Sequence, residues 1–362
     1  MAVSQLQVES ALKEFVDHYL GTDLVTAKAI KNIAVEGGAV TVDVVLGFPA
    51  KGYAGVLAAK LKEKITALAG VTNTKVNVSS KIEAHGAQKG AKPMPNIKNL
   101  IAVASGKGGV GKSTVSVNLA LALVAEGASV GILDADIYGP SQPRMLGAHT
   151  KPESKDGNTL EPVMSHGLQS MSIGYLIDEE TPMIWRGPMV TQALEQLLRD
   201  TNWRELDYLI VDLPPGTGDT QLTLAQKVPV TGAVIVTTPQ DIALLDARKG
   251  LKMFEKVEIP VLGIVENMST HVCSKCGHEE HIFGEGGGER MARQYSVDFL
   301  GGLPLDIRIR EETDNGKPTV AADPDCHIST LYRDIARRIT AKLSQQKKDY
   351  GSKFPNIVIQ KT

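Results

Sequence analysis

The chain is short of cysteine, of aromatic side chains and of any excess of charge. Three cysteines in 362 residues cannot build a disulfide scaffold; they suit a reducing compartment, where paired thiols bind metal or exchange electrons. Aromatic residues make up 4%, which argues against a surface that stacks bases. With 39 basic against 41 acidic residues the formal net charge is -2, so general nucleic-acid binding is not expected. No apolar run approaches the roughly 18 residues that span a bilayer. The opening "MAVSQLQVESALKEFVDHYL" lacks the basic-then-apolar layout of a signal peptide. The expectation is a cytoplasmic protein with no nucleic-acid or membrane partner.

What is present is the material of a folded chain, 42% hydrophobic and 22% charged, and long enough for two domains of roughly 100–200 residues each. Residues 4–20 space their apolar positions as a helix does, with breaks. "IKNIAVEGGAVTVDVVLGF" alternates on both sides of Gly37 and Gly38, a β-hairpin pattern. "YAGVLAAKLKEKITALAG" reads as a helix stopped by Gly70, and "VTNTKVNVSSKI" as another strand. Residues 1–82 therefore form a small α+β module. Residues 83–97, rich in Gly, Pro and Lys, read as a linker; a flexible coil of this length keeps its ends about 20 Å apart.

Beyond the linker the texture changes. "LIAVA", "SVGILD", "YLIVD", "AVIVTT" and "VLGIVEN" are continuously apolar and alternate with helical stretches. Strands of this kind are buried on both faces, which predicts an α/β domain over 98–348 with a doubly wound, mostly parallel sheet of the P-loop NTPase type. Ile328, Leu331, Ile335, Ile339 and Leu343 make one apolar stripe on a final helix that packs on this sheet, and residues 349–362 form a tail.

"VASGKGGVGKST" follows the first of these strands and opens a helix, and it fits the phosphate-binding pattern G-x-x-x-x-G-K-[ST] from Gly106 to Ser113. Gly108, Gly109 and Gly111 let successive amides, that of Val110 among them, converge on phosphate oxygens at a helix N-terminus. Lys112 reaches the β- and γ-phosphates of ATP, Ser113 holds Mg²⁺, and Thr114 closes the motif. Asp212, at the end of "YLIVD", takes the place of the carboxylate that steadies the Mg²⁺ shell. Asp134 and Asp136 in "DADIYGPS" can position the attacking water and touch the metal shell; ordinary solvation of a strand end is the alternative.

Lys107 gives the loop a second lysine. "GKGGVGKST" resembles the deviant phosphate loop of the partition and septum-placement ATPases and the nitrogenase iron protein. In that family the first lysine crosses to the partner's nucleotide, so the resemblance implies a homodimer closed around ATP. Together with "DADIYGPS", "MIWRGPMVTQALEQLLRDTNWRELDYLIVDLPPGTGD" and "VENMSTHVCSKCGHEEHIFGEGGG", the chain from about Lys98 to about Arg338 is similar to the Mrp/ApbC group of iron-sulfur cluster carriers. The resemblance implies an ATPase that delivers a [4Fe–4S] cluster, with apo iron-sulfur proteins and cluster assembly factors as partners. It also implies adenine-side contacts from Asn267 and from the loop around Pro304. Asn267 offers both a donor and an acceptor, as an adenine edge requires, or it caps a turn. Asp219 in "PPGTGD" is structural or nucleotide-responsive. The N-terminal module resembles the MIP18-like domain, whose members often carry a cysteine where this chain has "GFPAKGYA"; a docking or structural role is the expectation here.

Cys273 and Cys276 admit three readings. His271, His278 or His281 could complete a single-chain zinc knuckle. The pair could be a redox dithiol, though such pairs usually open a helix, and "GHEEHIFGEGGG" has no helical pattern. Or two chains could each give a Cys-x-x-Cys and enclose the cluster on a dimer axis; the doubled lysine and the carrier resemblance favour this. Cys326 is expected to be an inert thiol. The rival functions are a positioning ATPase, which needs neither cysteine, and a zinc-stabilised ATPase that serves as an interaction protein.

Overall fold

The computed structural model describes residues 3–87, 94–177, 187–273 and 275–346. Part of the linker, "MIWR" and the tail lie outside the described residues.

The N-terminal module opens with α1 (Gln5–Lys13), started by a capping box in which Ser4 and Gln7 satisfy each other's backbone amides at 3.3 and 2.9 Å. The hairpin expected around Gly37 and Gly38 is present as antiparallel β1 (Ile30–Glu36) and β2 (Ala39–Leu46). Helix α2 (Lys51–Thr66) then crosses to β3 (Asn73–Ser80), which pairs parallel to β2 and completes the order β1-β2-β3. Tyr53, Leu57, Leu61 and Ile65 of α2 are buried against this sheet, one face of a helix at the period the sequence shows.

The second part of the chain is built on β4 (Ile97–Ala104), β5 (Val130–Asp134), β6 (Val163–Ser165), β7 (Leu168–Ser172), β8 (Leu206–Asp212), β9 (Gly232–Thr237) and β10 (Val261–Glu266). A two-stranded hairpin, β11 (His271–Val272) and β12 (Glu279–Glu280), precedes β13 (Phe299–Gly302). Among the described residues the large sheet has eight strands in the order β13-β10-β9-β4-β8-β5-β7-β6. Its pairings are parallel except that of β6 with β7, so the doubly wound, mostly parallel sheet is borne out. Every residue of β5, β7 and β9 is buried, which explains the apolar sequences of β5 and β9; in β7 the buried Gln169, Ser170 and Ser172 are hydrogen-bonded instead.

Helices fill both faces: α3 (Lys112–Ala125), the short α4 (Gln142–Met145), α5 (Gly187–Asp200), α6 (Asp219–Lys227), α7 (Asp241–Lys256), α8 (Gly287–Gln294), α9 (Ile307–Asp314), α10 (Thr319–Ala322) and α11 (His327–Ser344). The expected stripe of α11 buries Ile328, Ile335, Ile339 and Leu343, with Leu331 half-buried beside them. Cys326 caps α11, its sulfur accepting the Ser329 amide at 3.4 Å. At the start of the expected linker, His85 is buried and bonded to Asn99 of β4 at 3.0 Å, so this part of the coil is fixed to the sheet. In a parallel sheet the loops that follow the strands gather along one edge. The residues singled out for chemistry lie at the last positions of the strands, in those loops, or at the start of the helices they lead into.

A candidate nucleotide site and a paired-thiol hairpin

Strand β4 ends at Ala104, and the loop that follows turns into α3 at Gly111, which has φ +80°. Two of its glycines are fixed by close approach. A Cβ on Gly106 would run into the backbone of Asp246 in α7, and one on Gly111 into the side-chain amide of Asn267. Ser105 steadies the loop by donating to the Lys107 carbonyl at 3.0 Å. The Lys107 side chain is exposed.

Behind the loop lies a buried polar knot. Lys112 is 5% exposed, and its ammonium sits 2.5 Å from Asp212 and 3.0 Å from the Ser113 hydroxyl. Asp212 also accepts from Ser116 at 2.7 Å and from the Gln142 amide at 3.0 Å, while the same amide reaches the Ser113 carbonyl at 3.2 Å. A carboxylate this deep is tolerable because a cation and two neutral donors satisfy it. The sequence pattern brings together Lys112, Ser113 and Asp212; Ser116 and Gln142 were missed. Ser116 lies one helical turn beyond Lys112, and Gln142 gave no signal beyond following "DADIYGPS" directly.

The two strand-end aspartates differ. Asp134 is fully buried, and its carboxylate takes the amides of Ser141, Gln142 and Asp136 at 2.9, 3.0 and 3.2 Å and the Ser172 hydroxyl at 3.1 Å. It braces the turn that delivers Gln142 to Asp212. Burial, with the nearby Asp212 charge adding to it, pushes the Asp134 carboxyl up to about 7. Asp136 is half-buried and accepts from Gly139 at 3.3 Å; burial raises its carboxyl as well. Ser113 and Asp212 present hard oxygen donors next to the phosphate loop, a set that fits Mg²⁺.

Asn267 follows β10 and is 6% exposed. Its amide donates to the Val110 carbonyl at 2.9 Å, and its backbone is held by Thr237 at 2.7 Å. Pro304 is half-buried between residues that stitch the same region together: Leu303 donates to the Glu266 carbonyl at 2.9 Å, and Leu305 to the Thr270 carbonyl at 2.7 Å. The side chain of Asp219 lies outside the described residues.

Six residues after Asn267, Cys273 enters the turn of the β11–β12 hairpin. The turn is tight: the Cys273 amide donates to the His278 carbonyl and the Gly277 amide to the Cys273 carbonyl, each at 2.8 Å, with Gly277 at φ +71°. Cys273 is half-buried and Cys276 exposed. The amides of Lys275 and Cys276, followed by the Cys276 thiol, hold the Cys273 thiol below its ordinary range. His271 and His281 use Nδ1 on the carbonyls of Leu305 and Ser269, at 3.0 and 2.8 Å. Among the described residues, no third Cys, His or carboxylate joins the two thiols as a ligand-ready group. The helix after the pair begins only at Gly287.

Similarity to known proteins follows both parts of the chain. Residues 96–340 match the family described as NUBPL iron-transfer P-loop NTPase, and residues 5–78 match the family described as iron-sulfur cluster assembly protein. The iron-sulfur cluster carrier protein of Pseudomonas fragi is 59% identical over 278 residues, covering 76% of this chain and 97% of that protein. The protein of the same name from Escherichia coli K12 is 51% identical over 340 residues, 94% of this chain and 92% of its own. Among solved structures, a nucleotide-binding protein of Archaeoglobus fulgidus in complex with ADP is 41% identical, with a TM-score of 0.55 over 61% of this chain and 88% of that one. With its doubled-lysine phosphate loop at the edge of a parallel sheet and its paired thiols one loop away, this chain belongs to the NUBPL-type iron-transfer P-loop NTPases.

Proposed function

We propose that the chain is an ATP-dependent carrier that holds a [4Fe–4S] cluster between two copies of itself and passes it to apo-proteins in the cytoplasm. The carrying observation is the path from nucleotide to thiols. One segment leaves β10, donates from Asn267 to the Val110 carbonyl of the phosphate loop at 2.9 Å, and reaches Cys273 six residues later. A nucleotide that shifts the loop therefore pulls on the base of the cysteine hairpin.

In this reading, Lys112 exchanges Asp212 for the β- and γ-phosphates, and the amides of residues 106–114 cradle them. Ser113 and Asp212 hold Mg²⁺, which screens the phosphate charge. Asp136, the more accessible of the two aspartates, orients the attacking water; Asp134 keeps the turn in place. Asn267, through its free oxygen, and Pro304 flank the adenine. Lys107 reaches the partner's nucleotide. Exposed Tyr138, Ile242, Leu245, Val272, Ile282 and Ile307 all lie on segments that leave the sheet along this same edge, and they supply apolar area for the second copy. Two thiolates from each copy meet the four-thiolate need of the cluster. Residues 98–348 form the ATPase and residues 1–82 a docking module, joined through 83–97. Apo iron-sulfur proteins and assembly factors are the partners.

The test is anaerobic transfer of a reconstituted cluster to an apo-acceptor by the wild-type chain and by Lys112→Ala. Transfer that depends on ATP and is lost in the variant is expected; equal rates in both would remove ATP from the delivery step.

A further inference from the structure

Helix α2 of the N-terminal module has no cap of its own. Ala50 at its N-cap offers no side-chain acceptor, and its first turn carries no acidic residue, so its leading amides need an acceptor from elsewhere. Glu126, which closes the phosphate-loop helix α3, provides it. The Glu126 carbonyl takes the Lys51 amide at 3.2 Å and its carboxylate takes the Gly52 amide at 2.9 Å. The C-terminus of α3 thus abuts the N-terminus of α2, the orientation that both helix dipoles favour.

The contact is buried and charged. The Glu126 side chain is fully buried, and Arg337 of α11 pairs with its second oxygen. Arg337 also donates to Tyr19 at 3.1 Å and lies 5.8 Å from the centre of its ring. Tyr19 donates to Asp334 at 2.9 Å and meets Tyr53 edge-on at 4.7 Å, and Tyr53 donates to buried Asp17 at 2.8 Å. Gly52 leaves room for this: a Cβ there would sit 2.7 Å from the Arg337 guanidinium.

The other end of α3 is the nucleotide site, since the helix begins with Lys112 and Ser113. Its 14 residues make a rod of about 20 Å. Ser116 fixes it to Asp212 at 2.7 Å and Asn118 accepts the Val320 amide at 3.1 Å. A close-packed rod transmits a displacement of one end to the other.

We infer that Glu126 is a positioning residue that ties the setting of Lys112 and Ser113 to the seating of the N-terminal module. Nucleotide binding tightens the seat of α2, and by linkage whatever loosens that seat weakens nucleotide binding by the same factor. The inference needs no cluster chemistry, so it stands or falls apart from the carrier reading.

The full-length chain tests it by hydrogen–deuterium exchange over Lys51–Thr66, with and without Mg²⁺ and a slowly hydrolysed ATP analogue, alongside the Kd of that analogue. In the wild type the analogue is expected to slow exchange of the first turn of α2 by about fivefold or more. Glu126→Gln keeps the shape and an acceptor but loses the charge that holds Arg337. It should weaken analogue binding by about the same factor and abolish the exchange response. Thr66→Val breaks the 3.1 Å bond to Thr74 at the far end of α2 and leaves the first turn and Glu126 in place; it should loosen that end of the module without changing the Kd. An unchanged Kd and exchange response in folded Glu126→Gln overturn the inference, as does an equal loss of affinity in Thr66→Val. Should Glu126→Gln not fold, Arg337→Lys is read against the same two outcomes.

Discussion

The phosphate loop and the cysteine hairpin lie one segment apart and are built on opposite plans. Around Asp212 the carboxylate is buried and partnered within the chain: Lys112, Ser116 and Gln142 all converge on it. Around Cys273 the backbone is tight but the thiols are left over, one half-buried and one exposed. The first site is held in order by bonds within the chain itself. The second offers two thiols in a hairpin turn, and among the described residues no third ligand-ready group joins them. A carrier needs this asymmetry, because a site that completes itself has no reason to release what it holds.

The largest effect expected from breaking the comparison is at Lys112. Lys112→Ala removes the proposed phosphate ligand and leaves Asp212 buried without its cation. Nucleotide affinity should fall at least about 100-fold by isothermal titration, and the chain should lose about 3–5 kcal/mol of stability by chemical denaturation. On the other side, Cys273→Ser with Cys276→Ser should abolish the visible absorption of the reconstituted cluster. It should leave the nucleotide Kd within about twofold, since neither thiol touches the phosphate loop.

The loop glycines sharpen the contrast further. Gly106→Ala should cost about 1–3 kcal/mol, because its methyl meets the backbone of Asp246. At Gly108 an added Cβ finds only Pro215, at 4.0 Å, so Gly108→Ala should keep its thermal midpoint and lose affinity alone. The smallest effect is a difference in reactivity. Because amides of Lys275 and Cys276 favour its thiolate, Cys273 should be alkylated by iodoacetamide with a lower pH midpoint in the folded chain than in the unfolded chain. Peptide mapping across a pH series reads this out.

The site was legible in the sequence where chemistry is contiguous. The phosphate loop occupies nine consecutive residues with a strand before it and a helix after it, and the paired thiols are three positions apart. Period-2 and continuous apolar runs likewise marked β1 to β5 and β8 to β10, but not β6, β7 and β13, which are short or carry polar residues. What the sequence did not show depends on contacts between distant positions. Glu126 and Arg337 are 211 residues apart, and neither carries a local pattern that names the other. Gln142 sits in a short helix opened by Pro143, and only the turn braced by Asp134 aims it at Asp212. Composition marked residues 83–97 as a linker, yet burial of His85 against Asn99 is a tertiary fact. Asp134 and Asp136 looked equivalent because sequence does not report depth; one proved fully enclosed and the other half-open.

The central claim is that the two thiols are half of a site completed by a second copy. Anaerobic reconstitution with iron and sulfide, followed by native mass spectrometry and metal analysis, tests it most directly. The account predicts a coloured dimer with about four iron atoms per pair of chains, reverting to colourless chains in the double serine variant. A colourless protein that holds one zinc in each separate chain would contradict it.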